Sequence, residues 1–313
     1  MIKPAALRRG DRVAIISPSG TILPERVDGA CKALRQWGFE PVVGQHVLCQ
    51  HRSWGAVNTG GTDDDRLADL LWAITDPSVK AILCSRGGYG TVRLLERVDA
   101  SLISQNPKWL IGFSDISALH ALWHRAGVMS LHASMAKQLT DHGTTGEVSE
   151  AMHAFITASA MPPYAVAPHP FNRSGEASGM LVGGNLAVLS ALVGTPYNLL
   201  KPGCILFIED VGEEIYRVER LLHQLRLAGV LPSLKGLIVG QFTRYHLDGA
   251  LADTATDAHH HLYSMIAHMV APYAYPVAFD FPIGHVDRNL PLPEGTTAHL
   301  QVSPSTTTLT FTP

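Results

Sequence analysis

The chain reads as an α/β protein of two units, a parallel-sheet domain followed by a mixed α/β unit that ends in antiparallel strands. Three observations predict this. Through the first half, short and continuously apolar runs such as Ala14-Ile15-Ile16 alternate with amphipathic stretches, the pattern of a parallel sheet covered by helices on both faces. From 161 to 175 that pattern gives way to Pro, Asn, Ser and Gly, which punctuate rather than propagate regular structure. A length of 313 residues corresponds to about two domains.

Taken in order, residues 12–17 (RVAIIS) form a buried strand, and 25–37 a helix with Val27, Ala30, Leu34 and Trp37 inward. Glu40–Val43 is a second strand. Residues 62–75 are a helix: Thr62 and Asp65 stand at capping-box spacing, and Leu67, Leu70, Leu71 and Ile74 make one apolar face. A strand at 81–84 runs into Arg86-Gly87-Gly88-Tyr89-Gly90, with a helix from 91 to 95 or beyond. Trp109–Gly112 is the next strand, leading through Ser114 into a helix carrying Ile116, Leu119, Leu122 and Trp123. A short helix is expected at 148–157. The second unit has residues 179–184 leading into a helix at 185–193, a strand at 204–208, a helix at 214–228 and a strand at 236–239. A His-rich helix near 255–270, a strand at 276–279 and a closing pair at 296–302 and 307–311 complete it. The domains are therefore placed at 1–145 and 179–313, with 146–178 as linker.

Composition excludes several classes. With 46% hydrophobic and 16% charged residues the chain can bury sizeable cores and is not disordered. The 24 Lys and Arg against 27 Asp and Glu, a net of −3, give no basic excess for nucleic acid or an anionic membrane. Four scattered cysteines (Cys31, Cys49, Cys84, Cys204) without a CxxC pair argue against a disulfide scaffold and for reduced thiols in a cytosol. The apolar run after Lys3, Arg8 and Arg9 is too short for a secretory signal, and no stretch is long enough to span a bilayer. A cytoplasmic location is the expectation.

Several segments could carry chemistry, each with a plainer structural alternative. In Gly112-Phe113-Ser114-Asp115 a buried strand ends, a glycine permits a tight turn, and a serine stands where a helix begins. That is the layout of a nucleophile elbow, with helix N–H groups aimed at a developing oxyanion. The second elbow glycine is replaced by Ile116, and a serine there could simply cap the helix. Arg86-Gly87-Gly88-Tyr89-Gly90 lacks the nucleotide-binding glycine fingerprints. It could bring backbone N–H groups close to a ligand and Arg86 to a carboxylate, or be only a tight turn. Glu209 and Asp210 end an apolar strand, where carboxylates are either catalytic or caps of the next helix. His285 lies in a loop, where a lone histidine is usually just solvated. His259, His260 and His261 with His268 lack the companions of a metal set and are read as a solvated face. Asp63, Asp64 and Asp65 are read as helix capping.

Taken together the segments resemble the LD-carboxypeptidases, the muramoyltetrapeptide carboxypeptidase family of serine peptidases. The resemblance rests on the run from Gly10-Asp11-Arg12 to Ser17-Pro18-Ser19-Gly20, on the Arg86 and Ser114 motifs, and on Gly183-Gly184-Asn185-Leu186. It continues in Ile208-Glu209-Asp210-Val211-Gly212-Glu213, Tyr216-Arg217-Val218-Glu219-Arg220 and Gly284-His285, in the family's order and over about residues 7 to 300.

This resemblance implies a flavodoxin-like first domain with a nucleophile elbow, and a Ser-His-Glu triad of Ser114, His285 and Glu209. The backbone N–H groups of Gly88 and Asp115 would form the oxyanion hole, and the site would lie at the domain interface. Arg86 and Asn185 are candidate substrate contacts by position and residue type. The implied reaction is release of the terminal D-alanine from cytoplasmic murein tetrapeptides in peptidoglycan recycling, by a homodimer needing no metal or organic cofactor. The family also includes peptidases that cleave aminoacyl-nucleotide antibiotics of the microcin C type. A nucleobase calls for an aromatic stacking loop, and 161–175 offers only Tyr164 and Phe171. A non-catalytic binding protein would require a broken triad, and a dinucleotide-binding dehydrogenase would require the missing glycine fingerprint. The His-rich helix departs from the family pattern without touching the triad.

Overall fold

The structure, a computed structural model, describes residues 1–53, 57–157, 161–244, 246–247, 250–251 and 255–312. The chain divides into two compact units, Met1–Met161 with Leu290–Gly295, and Pro162–Asn289 with Thr296–Pro313.

In the first unit the parallel strands are β1 (Arg12–Ile16), β2 (Glu40–Val43), β3 (Val79–Cys84), β4 (Trp109–Gly112) and β5 (Ser130–His132). They lie in the order β5-β4-β3-β1-β2, with an antiparallel edge strand, Leu292–Glu294, against β5. Read from the other edge, the parallel strands run 2-1-3-4-5, the flavodoxin-like order. The helices are α1 (Pro24–Gln36), α2 (Asp63–Thr75), α3 (Ala100–Gln105), α4 (Ser117–Arg125), α5 (Ala136–His142) and α6 (Glu147–Thr157). The central strands are buried on both faces, from Val13 to Ile16, Ala81 to Cys84 and Trp109 to Gly112. Strand order reverses between β1 and β3, where open α/β sheets place ligands beyond the carboxyl ends. The loops at 17–20 and 85–90 meet at that point, with a Gly20 N–H to Gly87 carbonyl bond of 3.3 Å.

In the second unit β6 (Tyr164–Val166), β7 (Gly175–Asn185), β8 (Ile205–Val211), β9 (Gly236–Thr243), β10 (Val277–Ala278), β11 (Thr297–Val302) and β12 (Thr307–Thr312) form one sheet. The order is β10-β9-β8-β7-β11-β12-β6. β7 joins its two halves. From Gly175 to Met180 it runs antiparallel to β11, and from Leu181 to Asn185 parallel to β8. A Cβ at Gly183 would stand 2.1 Å from the Phe207 carbonyl oxygen, so only glycine lets β8 approach there. The helices are α7 (Leu186–Leu192), α8 (Ile215–Leu227), α9 (Val230–Ser233) and α10 (Ala255–Val270).

The domain limits differ from those expected. The expected linker at 146–178 is not one segment. Its first part is α6, which buries Met152, Phe155 and Ile156 and packs the His153 ring, tilted, against Trp37 in the first unit. Its last part is β6 and the start of β7, built into the second sheet. The return of 290–295 to the first unit gives no periodic signal, because a three-residue edge strand containing Pro293 is too short to show one. The helix expected from residue 91 is a 3-10 helix, Thr91–Arg97.

The capping box on α2 forms as the spacing predicts: Thr62 Oγ1 accepts from the Asp65 N–H at 3.1 Å and Asp65 accepts from the Thr62 N–H at 2.8 Å. Thr62→Ala is therefore expected to destabilise the protein by about 1 kcal/mol, read as a lower urea midpoint at unchanged slope.

Candidate active site

Ser114 has φ of +67°, a left-handed conformation that side chains rarely adopt. It opens a 3-10 turn, Ser114–Ile116, leading directly into α4. The cap positions of the turn and of α4 are Phe113 and Ile116, neither with a side-chain cap bond, so the capping alternative for Ser114 is not what the fold uses. The turn folds back on itself. A Cβ at Gly112 would lie 3.0 Å from both γ-carbons of Ile116. Ile116, which replaces the second elbow glycine, thus fills the space that Gly112 leaves open.

The glycine-rich turn after β3 lies against the elbow. A Cβ at Gly87 would stand 2.8 Å from both Cβ and Oγ of Ser114. Gly88 has φ of +139° and Gly90 of +114°, conformations open to glycine alone without strain. Asp115 ties the two turns together. Its buried carboxylate accepts from Ser19 Oγ at 2.6 Å and from the Thr91 N–H at 3.0 Å, and its carbonyl accepts from Thr91 Oγ1 at 2.5 Å. Its own N–H lies in the first turn of a helical segment, where such groups lack intrahelical partners. Among the described residues nothing accepts from the Gly88 N–H. Arg86 is exposed and donates to the Gly87 and Thr21 carbonyls at 3.1 and 3.2 Å.

The second unit builds an acid–imidazole pair. Glu209, wholly buried near the end of β8, accepts from His285 Nδ1 at 2.7 Å. The carboxylate fixes the proton on Nδ1 and leaves Nε2 as the basic nitrogen. Gly284, with φ of +118°, makes room for this: a Cβ there would lie 2.9 Å from Glu209 Cβ and 3.0 Å from Oε2. Asn289 holds the same loop by accepting from the Gly284 N–H at 2.8 Å. Burial works to lower the His285 pKa, but the Glu209 charge and hydrogen bond, with the Asp210 charge, outweigh it and raise it above the ordinary value.

Asp210 faces the other way. It accepts from Asn185 Nδ2 at 2.7 Å and from the Ala187 and Val211 N–H groups at 2.9 and 2.8 Å. Burial and the neighbouring Glu209 push its pKa up to about 7, against the pull of those hydrogen bonds. Asn185 also caps α7, its Oδ1 accepting from the Val188 N–H at 3.1 Å.

The structure thus gathers Ser114, Gly88, Asp115 and Arg86 in the first unit, and Glu209, His285 and Asn185 in the second. The His-rich helix is only partly a solvated face. His260, His261 and His268 are exposed, whereas the His259 ring packs edge-on to Tyr263 at 4.3 Å. Among the described residues no group of three or more His, Cys, Asp or Glu is placed to hold a metal, and no helix is long and apolar enough to cross a membrane. Sequence reasoning gave no role to Arg66 or Thr91, and named Ser19 only within the run that resembles the family, yet Arg66 holds the glycine-rich turn while Ser19 and Thr91 bond Asp115.

Two predictions follow from this geometry. Gly87→Ala places a methyl group 2.8 Å from both Cβ and Oγ of Ser114, so the elbow must shift: any chemistry at that hydroxyl should fall by on the order of 100-fold, the cost of a small misplacement of a reacting group, and the melting temperature should fall with the overpacking. Glu209→Gln leaves burial less opposed at His285, so an NMR titration of its imidazole should show a pKa lower than that of wild type.

Comparison with known proteins agrees with the layout. Residues 13–133 match the LD-carboxypeptidase N-terminal domain and residues 178–300 the LD-carboxypeptidase C-terminal domain. The chain is 33% identical to the murein tetrapeptide carboxypeptidase of Pseudomonas aeruginosa, over 93% of each chain. It is similar to the crystal structure of muramoyltetrapeptide carboxypeptidase from Oxalobacter formigenes, with a TM-score of 0.82, 28% identity, and coverage of 96% of this chain and 99% of that one. It is also similar to an MccF-like protein from Bacillus anthracis, with a TM-score of 0.84 and 25% identity over 100% of both chains.

Proposed function

The chain belongs to the LD-carboxypeptidase family, and from that premise we propose that it is a serine-type carboxypeptidase releasing the terminal D-alanine of murein tetrapeptides. The observation that carries this reading is the left-handed Ser114 on its elbow, in a chain that also holds an imidazole oriented by a buried carboxylate.

In the proposed reaction His285 Nε2 takes the Ser114 proton as Oγ attacks the carbonyl carbon of the bond to D-alanine. Glu209 stabilises the imidazolium that forms. The N–H groups of Gly88 and Asp115 receive the oxyanion. His285 then protonates the departing amine, and water, activated by the same imidazole, hydrolyses the acyl-enzyme to tripeptide and free Ser114. Arg86 is placed in the role of partner to a substrate carboxylate, and Asn185 in that of a second substrate contact. The scheme is complete with side chains and backbone and calls for no metal or cofactor. Its setting is the cytoplasmic trimming of recycled wall peptides, by a homodimer.

The test is mass spectrometry of L-Ala-γ-D-Glu-meso-diaminopimelyl-D-Ala incubated with purified protein and a chelator. Wild type should release one D-alanine, and Ser114→Ala should be slower by on the order of 10⁶. A variant keeping most of the activity would overturn Ser114 as nucleophile. If the tetrapeptide survives and an aminoacyl-nucleotide of the microcin C type is cleaved, the likeness to the MccF-like protein becomes the guide to substrate.

The pH profile gives a second check. The base must be neutral, and its pKa lies above the ordinary histidine value. kcat/KM should therefore fall tenfold per pH unit on the acid side of a pKa above about 6.5; an acid limb below that value would count against His285 as the base.

A further inference from the structure

We infer that Arg66 is a positioning residue: its buried guanidinium sets the shape of the glycine-rich turn that carries Gly88, and through it the geometry of the oxyanion donors. This deepens the reaction proposed above and rests on that reading.

Arg66 lies on α2, directly after the Asp63-Asp64-Asp65 run that the sequence offers only as helix capping, yet it is only 1% exposed. One nitrogen, Nη1, donates to two loops at once, to the Pro18 carbonyl at 2.6 Å and the Gly90 carbonyl at 2.9 Å. These are the loops after β1 and β3, on either side of the point where strand order reverses. Nη2 bonds Asp63, whose other oxygen accepts from Arg93 at 2.7 Å. The guanidinium is thereby held from behind while it holds the loops in front.

Gly90 is shaped for this contact. A Cβ there would lie 3.0 Å from Nη1 and 3.2 Å from Nη2. The next residue, Thr91, gives its N–H to Asp115, and on the other flank the Gly87 carbonyl accepts from Gly20. The Gly88 peptide therefore hangs between fixed points, and two of the three positions that fix it, Gly90 and Thr91, answer to Arg66 and Asp115. A buried ion pair is a weak source of stability compared with apolar packing. A guanidinium retained here, with its planar fork matched to two loop carbonyls and a carboxylate, serves geometry. Lysine has no such fork.

The experiment compares wild type with Arg66→Lys and Arg66→Met. It reads kcat and KM on the tetrapeptide, affinity for a boronate analogue that becomes tetrahedral on Ser114, affinity for the tripeptide product, and the Gly88 and Gly90 amide resonances. The expected result for Arg66→Lys is a folded protein with kcat down by about 10- to 100-fold, KM within about twofold, and boronate affinity falling in parallel. Tripeptide affinity should hold, and both amides should shift. Should Arg66→Met fail to fold, Asp63→Asn takes its place, with a smaller fall in kcat in the same pattern. Near-wild-type kcat in folded Arg66→Lys overturns the inference, as does lost kcat with unchanged boronate affinity. Wild type that releases no D-alanine overturns the reaction instead. The amides then decide the remaining point: unchanged resonances in Arg66→Lys overturn the hold on the turn, and shifted ones sustain it.

Discussion

The first unit is organised around one backbone conformation, the left-handed turn at Ser114. Such a conformation costs about 1–2 kcal/mol for a residue with a side chain, and persists only where the surroundings determine it. The surroundings here are specific. The Gly112 carbonyl, two residues before the serine, accepts from the Ala133 N–H at 3.0 Å and from His120 Nε2 at 2.9 Å. Since a carbonyl can only accept, the His120 proton is on Nε2, and the neutral ring accepts from Ser130 Oγ at 2.8 Å through Nδ1. Burial keeps that ring neutral by driving its pKa down to about 4, against the Gly112 hydrogen bond. A histidine in this role is a fixed support rather than a titrating group.

The second unit shows two adjacent carboxylates given opposite tasks by a strand's alternation. Successive side chains on β8 point to opposite faces, so Glu209 meets His285 while Asp210 meets Asn185 and the start of α7. Burial and the Glu209 charge make Asp210 a costly ion to keep, and several donors are gathered on it. Its charge still reaches His285 and helps to raise that pKa.

Glycines do their work in both units by absence. At Gly87 and Gly284 the missing side chain leaves room for Ser114 and Glu209, and at Gly183 it leaves room for a neighbouring strand. Gly87 was visible in the sequence within a glycine-rich turn, and Gly183 and Gly284 within segments that resemble the family, but what each one makes room for is a property of the fold. The same holds for Ile116, which breaks the elbow pattern on paper and completes its packing in space.

The sequence by itself determined the fold class, because continuous apolar strands alternating with amphipathic helices carry their periodicity locally. It also determined the α2 cap, since Thr62 and Asp65 need only their own spacing. It brought Ser114, Glu209 and His285 forward as candidates, because strand ends, glycines and chemically able side chains are readable one segment at a time. Only the tertiary structure decided which positions support them. Arg66 sits in an acidic, amphipathic helix that reads as surface, and becomes a buried clamp because two loops distant in sequence converge on it. The short edge strand at Leu292–Glu294 exists because β5 offers it an edge to pair with. Contacts made across long separations leave no period in the chain, so no local pattern could have announced them.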